Sequence, residues 1–246
     1  MRTEGFTDVH QHVLWGMDDG PGTPEEMQAL LAQDVDNGIR LVYATSHAYP
    51  AVRAFDLTRY RERLEEANAL CRSQDWPIRI LSGSEIHYCS AVPDELSAGR
   101  LLTLGDSRRV LIEFDPGVSV SEIAEAANRL YQAGFEPVMA HVERYPCLVR
   151  SPGHAMELRE ECGLVYQMNC DTILQPRWGR ERRFVRQLLE ARAVDAMATD
   201  AHDTARRPVR MRAAYRKVLR EQGREYADQL VHPFSVCMSV ERADTL

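Results

Sequence analysis

Seven short runs of apolar and β-branched residues recur along the chain, spaced roughly 26 to 40 residues apart, the length of a strand-plus-helix unit. They cover residues 6–10, 41–46, 78–83, 109–114, 136–141, 164–169 and 194–199. Longer stretches with the apolar spacing of amphipathic helices lie between them. The segment TPEEMQALLAQDVDNG opens with Thr23 at the N-cap, Pro24 at the first helical position and Glu26 placed for a capping box, and it stops at Gly38. SVSEIAEAANRLYQAG, ending at Gly134, follows the same plan. The strand runs are mostly continuous apolar stretches, as expected of strands covered on both faces. Such strict alternation points to a parallel α/β fold, either a barrel or a doubly wound sheet. Seven units account for residues 1–246 as one domain.

Composition narrows the function. With 44% hydrophobic and 27% charged residues the chain reads as globular. A net charge of −7 argues against a nucleic-acid partner and against a basic membrane-surface protein. No apolar run approaches the ~18 residues of a membrane span, and the first residues lack a signal-peptide core. The six cysteines (Cys71, Cys89, Cys147, Cys162, Cys170 and Cys237) form no C-x-x-C pair, and none has an arginine six positions on. A zinc ribbon, a thioredoxin-type site and a cysteine-dependent tyrosine phosphatase loop are therefore not indicated. The expectation is a reduced, cytoplasmic protein without membrane insertion.

Metal-ligand residue types fall repeatedly at the carboxyl ends of the expected strands. The first run leads into D-V-H-Q-H, and period-two alternation puts His10 and His12 on one side of an extended chain. Asp18 and Asp19 follow in M-D-D-G-P. The second strand ends at His47, the third at Glu85, the fourth at Glu113, the fifth at His141 and the seventh at Asp200 and His202; the sixth ends in Gln167 and Asn169, poorer ligands. In a parallel α/β fold these ends converge on one mouth, where active sites are built. One histidine at a strand end reads as structural, but the repeated placement does not. Mixed imidazole and carboxylate donors suit zinc, manganese or iron. Nine candidates exceed the about three protein ligands of one catalytic zinc, so two or three ions sharing carboxylates are indicated. His87 is a weaker candidate for the mouth. His154 reads as a loop residue and His232 as a late-helix residue.

The ordered elements HQHVLWGMDDGPGTPEE, ATSH, GSEI, LIEF, AHVERYP and ATDAHDTARRP resemble the polymerase-and-histidinol-phosphatase (PHP) superfamily. Within it they are most similar to the capsule-regulating bacterial protein-tyrosine phosphatases of the CpsB/YwqE group, over Asp8 to about Tyr215. The resemblance implies a distorted seven-stranded (β/α)7 barrel of TIM-like type and a trinuclear site, most often holding manganese, with zinc or iron the other candidates. It implies a first ion on His10, His12, Glu85 and Asp200. The second would take Glu113 and His141 with Glu85 bridging, and the third Asp19, His47 and His202. Asp18 is left behind the ligands. Arg144 and Arg207 match the family's phosphate-binding arginines, with Arg206 the neighbour most easily confused. Val142 stands where the family often has proline, and Cys170 and Asp171 where small residues are commoner.

These residues imply hydrolysis of a phosphate monoester by hydroxide from a water bridging two ions. Arginine binds the phosphoryl oxygens because its planar fork is bidentate and stays charged. A phenol leaves with a pKa near ~10 against roughly 15 or more for an alkanol, which favours phosphotyrosine. By resemblance the protein substrate is the tail of a bacterial tyrosine kinase controlling capsule or exopolysaccharide synthesis, and a homo-oligomer is compatible. Two alternatives remain at this point. One is an enzyme for a small metabolite phosphate, such as histidinol phosphate or a nucleotide. The other is a non-catalytic, metal-containing module that docks a kinase. An amidohydrolase often needs a carbamylated lysine, and Lys217, the sole lysine, lies in a late helical segment. Three divalent ions would bring the formal charge from −7 to −1 and the four ligand carboxylates to +2, so the acidic balance does not exclude an anionic substrate.

Overall fold

The computed structural model describes residues 5–177 and 179–234. Cys237 lies outside them. Among the described residues the chain forms strands β1 (Phe6–Gln11), β2 (Ile39–Ala44), β3 (His47–Ala48), β4 (Arg79–Ser82), β5 (Glu85–His87), β6 (Arg109–Glu113), β7 (Glu136–Met139), β8 (Val165–Asn169) and β9 (Ala196–Ala198). Helices α1 (Pro24–Asn37), α2 (Leu57–Ser73), α3 (Val92–Ser97), α4 (Val120–Gln132), α5 (Pro146–Arg150), α6 (Pro152–Cys162), α7 (Cys170–Leu174), α8 (Arg180–Glu190), α9 (Met211–Gln222) and α10 (Arg224–Val231) fill the connections, with a 3-10 turn over Val142–Arg144.

All strand pairs are parallel. They lie in a three-stranded sheet, β1-β2-β4, and a six-stranded sheet, β3-β5-β6-β7-β8-β9. The curled arrangement brings the first and last strands together. Gln11 bridges Ala201, the Asp200 N–H donates to the His10 carbonyl at 2.8 Å, and the His12 N–H to the Ala201 carbonyl at 3.0 Å.

The expected second and third strand units each form two short strands, so among the described residues nine strand segments stand where seven runs were expected. Residues 41–46 and 78–83 were expected as single runs. Instead the chain leaves one sheet at Thr45–Ser46 and at Gly83–Ser84 and resumes in the other. The reason is tertiary. The buried Tyr60 hydroxyl donates to the Ala44 carbonyl at 2.6 Å and accepts from the Gly83 N–H at 2.9 Å, taking up backbone groups that leave the ladder. Gly83 also sits so close to Thr45 and Leu104 that a Cβ would approach both to 3.1–3.2 Å.

Burial follows the sequence pattern. On β6, Leu111 joins Val9, Val138, Ala196 and Ala198 inside the curl, while Val110 and Ile112 pack outward with Leu130 of α4. Both faces are therefore covered, and the run is continuously apolar. Helix α4 buries Ile123, Ala126, Ala127 and Leu130 and starts with the full capping box of Ser119 and Glu122. In α1 Thr23 caps the Glu26 N–H, but the Glu26 carboxylate accepts from Gly22 instead of closing the box; Gly38 ends the helix at φ 83°. His154 lies in the first turn of α6, not in a loop, near the Cys147 carbonyl, and His232 follows α10. No described helix is long and apolar enough to cross a membrane.

Candidate metal centre

The strand ends meet at one mouth. Glu85, at the start of β5, is its centre: its Oε2 lies 3.2 Å from His10 Nε2, 3.1 Å from His12 Nε2 and 3.0 Å from His47 Nδ1, and its Oε1 lies 2.8 Å from His141 Nε2. Asp200 is the second focus, with Oδ1 3.4 Å from His10 Nε2. Glu113 Oε1 stands 3.5 Å from His47 Nδ1, and its Oε2 3.8 Å from His141 Nε2. Asp19 Oδ1 faces His47 Nε2 at 3.4 Å and His202 Nε2 at 3.3 Å. All nine residues singled out from the strand ends thus converge. The donor atoms of seven of them form three adjoining clusters: His12, Asp19, His47 and His202; His10, His12 and Glu85; and His47, Glu85 and Glu113. His141 and Asp200 stand beside these, on Glu85 and His10.

A layer of buried polar groups aims these donors. His12 Nδ1 meets Asp18 Oδ2 at 2.8 Å, and the same carboxylate accepts from the His47 and Gly20 N–H groups. Gln167, named from sequence only as a poor ligand, receives His10 Nδ1 at 3.0 Å and the His141 N–H at 2.7 Å, and donates to Asn169, which donates on to Asp200. Asp8, which sequence reasoning passed over, accepts from the His10 and Thr199 N–H groups beneath the site. A carboxylate two residues before a strand-end histidine was the available signal. His141 and Asp200 themselves adopt left-handed backbone (φ 33° and 52°), a strain of the kind that collects at functional sites.

Charge in the cluster is strongly coupled. Burial opposes a charged His12, yet Asp18 and Glu85 outweigh it and raise the imidazole to about 9. Burial likewise opposes a charged His47, but the neighbouring Glu113 and Glu85 carboxylates lift it to about 11. His202 stacks on His12 at 3.8 Å; burial and that neighbouring charge push it down to about 4. Burial works against ionised Glu85 and Asp200, and His10, with Arg144 for Asp200, overrides it and holds both low. In Asp18 the His12 charge does the same.

The two arginines reach the same carboxylate from different elements. Arg144, from the 3-10 turn after β7, bonds Asp200 Oδ2 at 2.5 Å, and Arg207 bonds Oδ1 at 2.7 Å. Arg206 is 92% exposed and pairs loosely with Asp203 at 3.8 Å. His87 stays on the rim, 3.4 Å from Asp115 and against Tyr49. Lys217 lies in α9 and donates to the Ile173 carbonyl. Beside the arginines a cleft of about 710 Å³ opens, lined by Glu143, Arg144, Asn169, Asp200 and Arg207 at its inner end.

The donor set fits divalent cations. Among buried polar atoms without a hydrogen-bond partner are Glu85 Oε2, His47 Nδ1 and His202 Nε2, all facing the cluster. Burying so many imidazoles and carboxylates otherwise carries a heavy desolvation cost. Fold and site together define an α/β metallohydrolase with two arginines beside its centre.

The family described as "Capsular polysaccharide synthesis, CpsB/CapC" matches residues 6–237, and the chain belongs to it. It is 30% identical to the tyrosine-protein phosphatase CpsB of Streptococcus pneumoniae, over 91% of this chain and 93% of that one. It is also 30% identical to the tyrosine-protein phosphatase YwqE of Bacillus subtilis, over 89% and 85%. A solved structure from the pair Bacillus subtilis YwqE and Streptococcus pneumoniae CpsB, described as metal-dependent tyrosine phosphatases, superposes with a TM-score of 0.83 at 28% identity, covering 90% of this chain and 89% of that one. The histidinol phosphate phosphatase of Lactococcus lactis shares the fold at 13% identity and a TM-score of 0.57, covering 88% and 93%.

Proposed function

We propose that this chain is a metal-dependent protein-tyrosine phosphatase acting in the cytoplasm on the phosphotyrosine tail of a bacterial tyrosine kinase, in the control of capsule or exopolysaccharide synthesis. The carrying observation is the convergence of five imidazoles and four carboxylates around Glu85 and Asp200, with Arg144 and Arg207 on that same Asp200. Family membership and the named relatives support the substrate class.

Three divalent ions, manganese first, account for the whole set. His10, His12, Glu85 and Asp200 would hold one, Glu113 and His141 with Glu85 a second, and Asp19, His47 and His202 a third. His12 and His47 each stand in two donor clusters, in keeping with adjoining ions. Counting β2 with β3 and β4 with β5, the nine strand segments read as seven barrel units in one domain.

When bound, such ions would acidify a water at neutral pH and offset charge on the phosphoryl oxygens. The protein's own groups do the rest. Asp18 and Gln167 fix the rotation of His12 and His10, so their ring nitrogens face inward. Arg144 and Arg207, parked on Asp200, offer planar forks to the non-bridging oxygens. The phenol leaves with a pKa near ~10, so proton delivery to it is less demanding than for an alkanol.

The test is turnover of a phosphotyrosine peptide by metal-loaded protein, with loss on chelation. Equal or faster turnover of small alcohol phosphates would overturn the reading in favour of a metabolite phosphatase. Arg207→Ala is expected to lower kcat/KM at least about 100-fold, the size of one lost oxyanion donor, while the exposed Arg206→Ala stays within about twofold.

A further inference from the structure

The proposed chemistry uses only the inner end of the cleft. Its volume of about 710 Å³ falls in the range of roughly 300–1,000 Å³ that encloses a whole small ligand, and of its arginines the proposed chemistry uses only Arg144 and Arg207. The cleft runs outward between two walls. One is the turn Val142–Arg144 and α5, ending at Arg150. The other is α7, with Arg177 beyond its end and Arg180 at the start of α8.

The cleft's acids are already engaged. Asp200 holds Arg144 and Arg207, and Asp171 faces Arg210 at 3.4 Å. Glu181 accepts the Arg177 backbone N–H at 2.8 Å, and Glu143 accepts that of Asn169 at 3.1 Å. Among the described residues, no carboxylate lies within ion-pair reach of the guanidinium of Arg150, Arg177 or Arg180. The excess is local. In a chain of net charge −7, residues 177–186 hold five arginines and one acid. Three exposed, uncompensated forks on two separate elements, facing one cleft, raise the concentration of anions there and suit carboxylate or phosphate equally.

We propose that Arg150, Arg177 and Arg180 form a second anion subsite at the outer end of the cleft, selecting phosphotyrosine segments that carry a further negative group near the target residue. This rests on the phosphatase reading above and names the substrate feature it prefers. The flanking group is a carboxylate side chain or a second phosphate, and the experiment separates them.

Three phosphotyrosine peptides of one length are compared with metal-loaded protein: flanked by glutamates, flanked by a second phosphotyrosine, and flanked by glutamines. In the wild type one or both charged peptides should exceed the neutral one in kcat/KM by about fivefold or more, chiefly through KM, and the advantage should shrink with added salt. The larger advantage identifies the flanking chemistry. In the triple variant Arg150→Gln, Arg177→Gln, Arg180→Gln the ratio of charged to neutral should fall toward one, and the corresponding triple lysine variant should restore part of it. Equal rates for the three peptides in the wild type, or a ratio unchanged in the glutamine variant, overturn the subsite. No turnover of any peptide by the wild type overturns the phosphatase reading itself, and the subsite with it.

Discussion

Asp18 and Asp19 are neighbours in the chain and do different work. Asp18 is buried and spends its oxygens on His12, the His47 N–H and the Gly20 N–H. Asp19 is 63% exposed and reaches His47 and His202 from the rim. The composition of D-D-G-P cannot separate the two; the geometry does, since backbone N–H groups hold Asp18 inward and leave Asp19 on the rim. Asp18→Asn keeps the shape but removes the charge behind His12. It is expected to weaken metal binding about 10- to 100-fold, the usual cost of losing an orienting partner. A metal-competition titration measures this, and unchanged affinity would contradict the role. The same scale holds the residues that sequence reasoning undervalued. Gln167 acts through His10, 157 positions away, which no local pattern marks, whereas the one local sign of Asp8 is its place two residues before His10.

At the scale of elements, the apolar runs and helix signals were legible because they are local. Capping of α4 by Ser119 and the glycine stop of α1 rest on groups within four residues. The breaks in the second and third strand units were not legible, because Tyr60 of α2 creates them from outside. Its hydroxyl serves one backbone group in each broken unit, Ala44 and Gly83. Tyr60→Phe preserves the ring and leaves two buried backbone groups unpaired. It should destabilise the fold by at least about 2 kcal/mol, since each buried unsatisfied group costs about 1–3 kcal/mol. Urea denaturation reads the loss, and a midpoint equal to the wild type's would refute this account of the breaks. These same breaks set His47 and Glu85 at the heads of β3 and β5, in register with each other across the pair, so the switch between sheets also builds the site.

At the scale of the molecule, the charge placed inside the fold sets its response to pH. Asp34 of α1 is fully buried, accepts from Gln11 at 2.7 Å, and is pushed well above the aspartate range by burial and then by the nearby Asp8. The native state therefore keeps a proton that the unfolded chain releases. This contribution is complete below the ordinary aspartate pKa and is lost as pH rises through the raised one. In Asp34→Asn that loss disappears, so the melting temperature of the variant minus that of the wild type should grow with rising pH and then level off. A difference independent of pH would count against a protonated Asp34. Chelation acts at the same scale. Ions that bind only the folded state stabilise it, so removing them should lower the melting temperature as well as abolish turnover.

The sequence by itself determined the parallel α/β alternation, the helix ends and the types of residue at the strand ends, because each depends on neighbours within one turn or one strand. It also carried the family through motifs that stand in fixed order. Only the tertiary structure decided which carboxylate becomes the hub, how Asp200 is shared between Arg144 and Arg207, and where two strands change sheets. Those choices depend on distances between residues far apart in the chain, and such distances exist only once the sheet has curled and brought its carboxyl ends to one mouth.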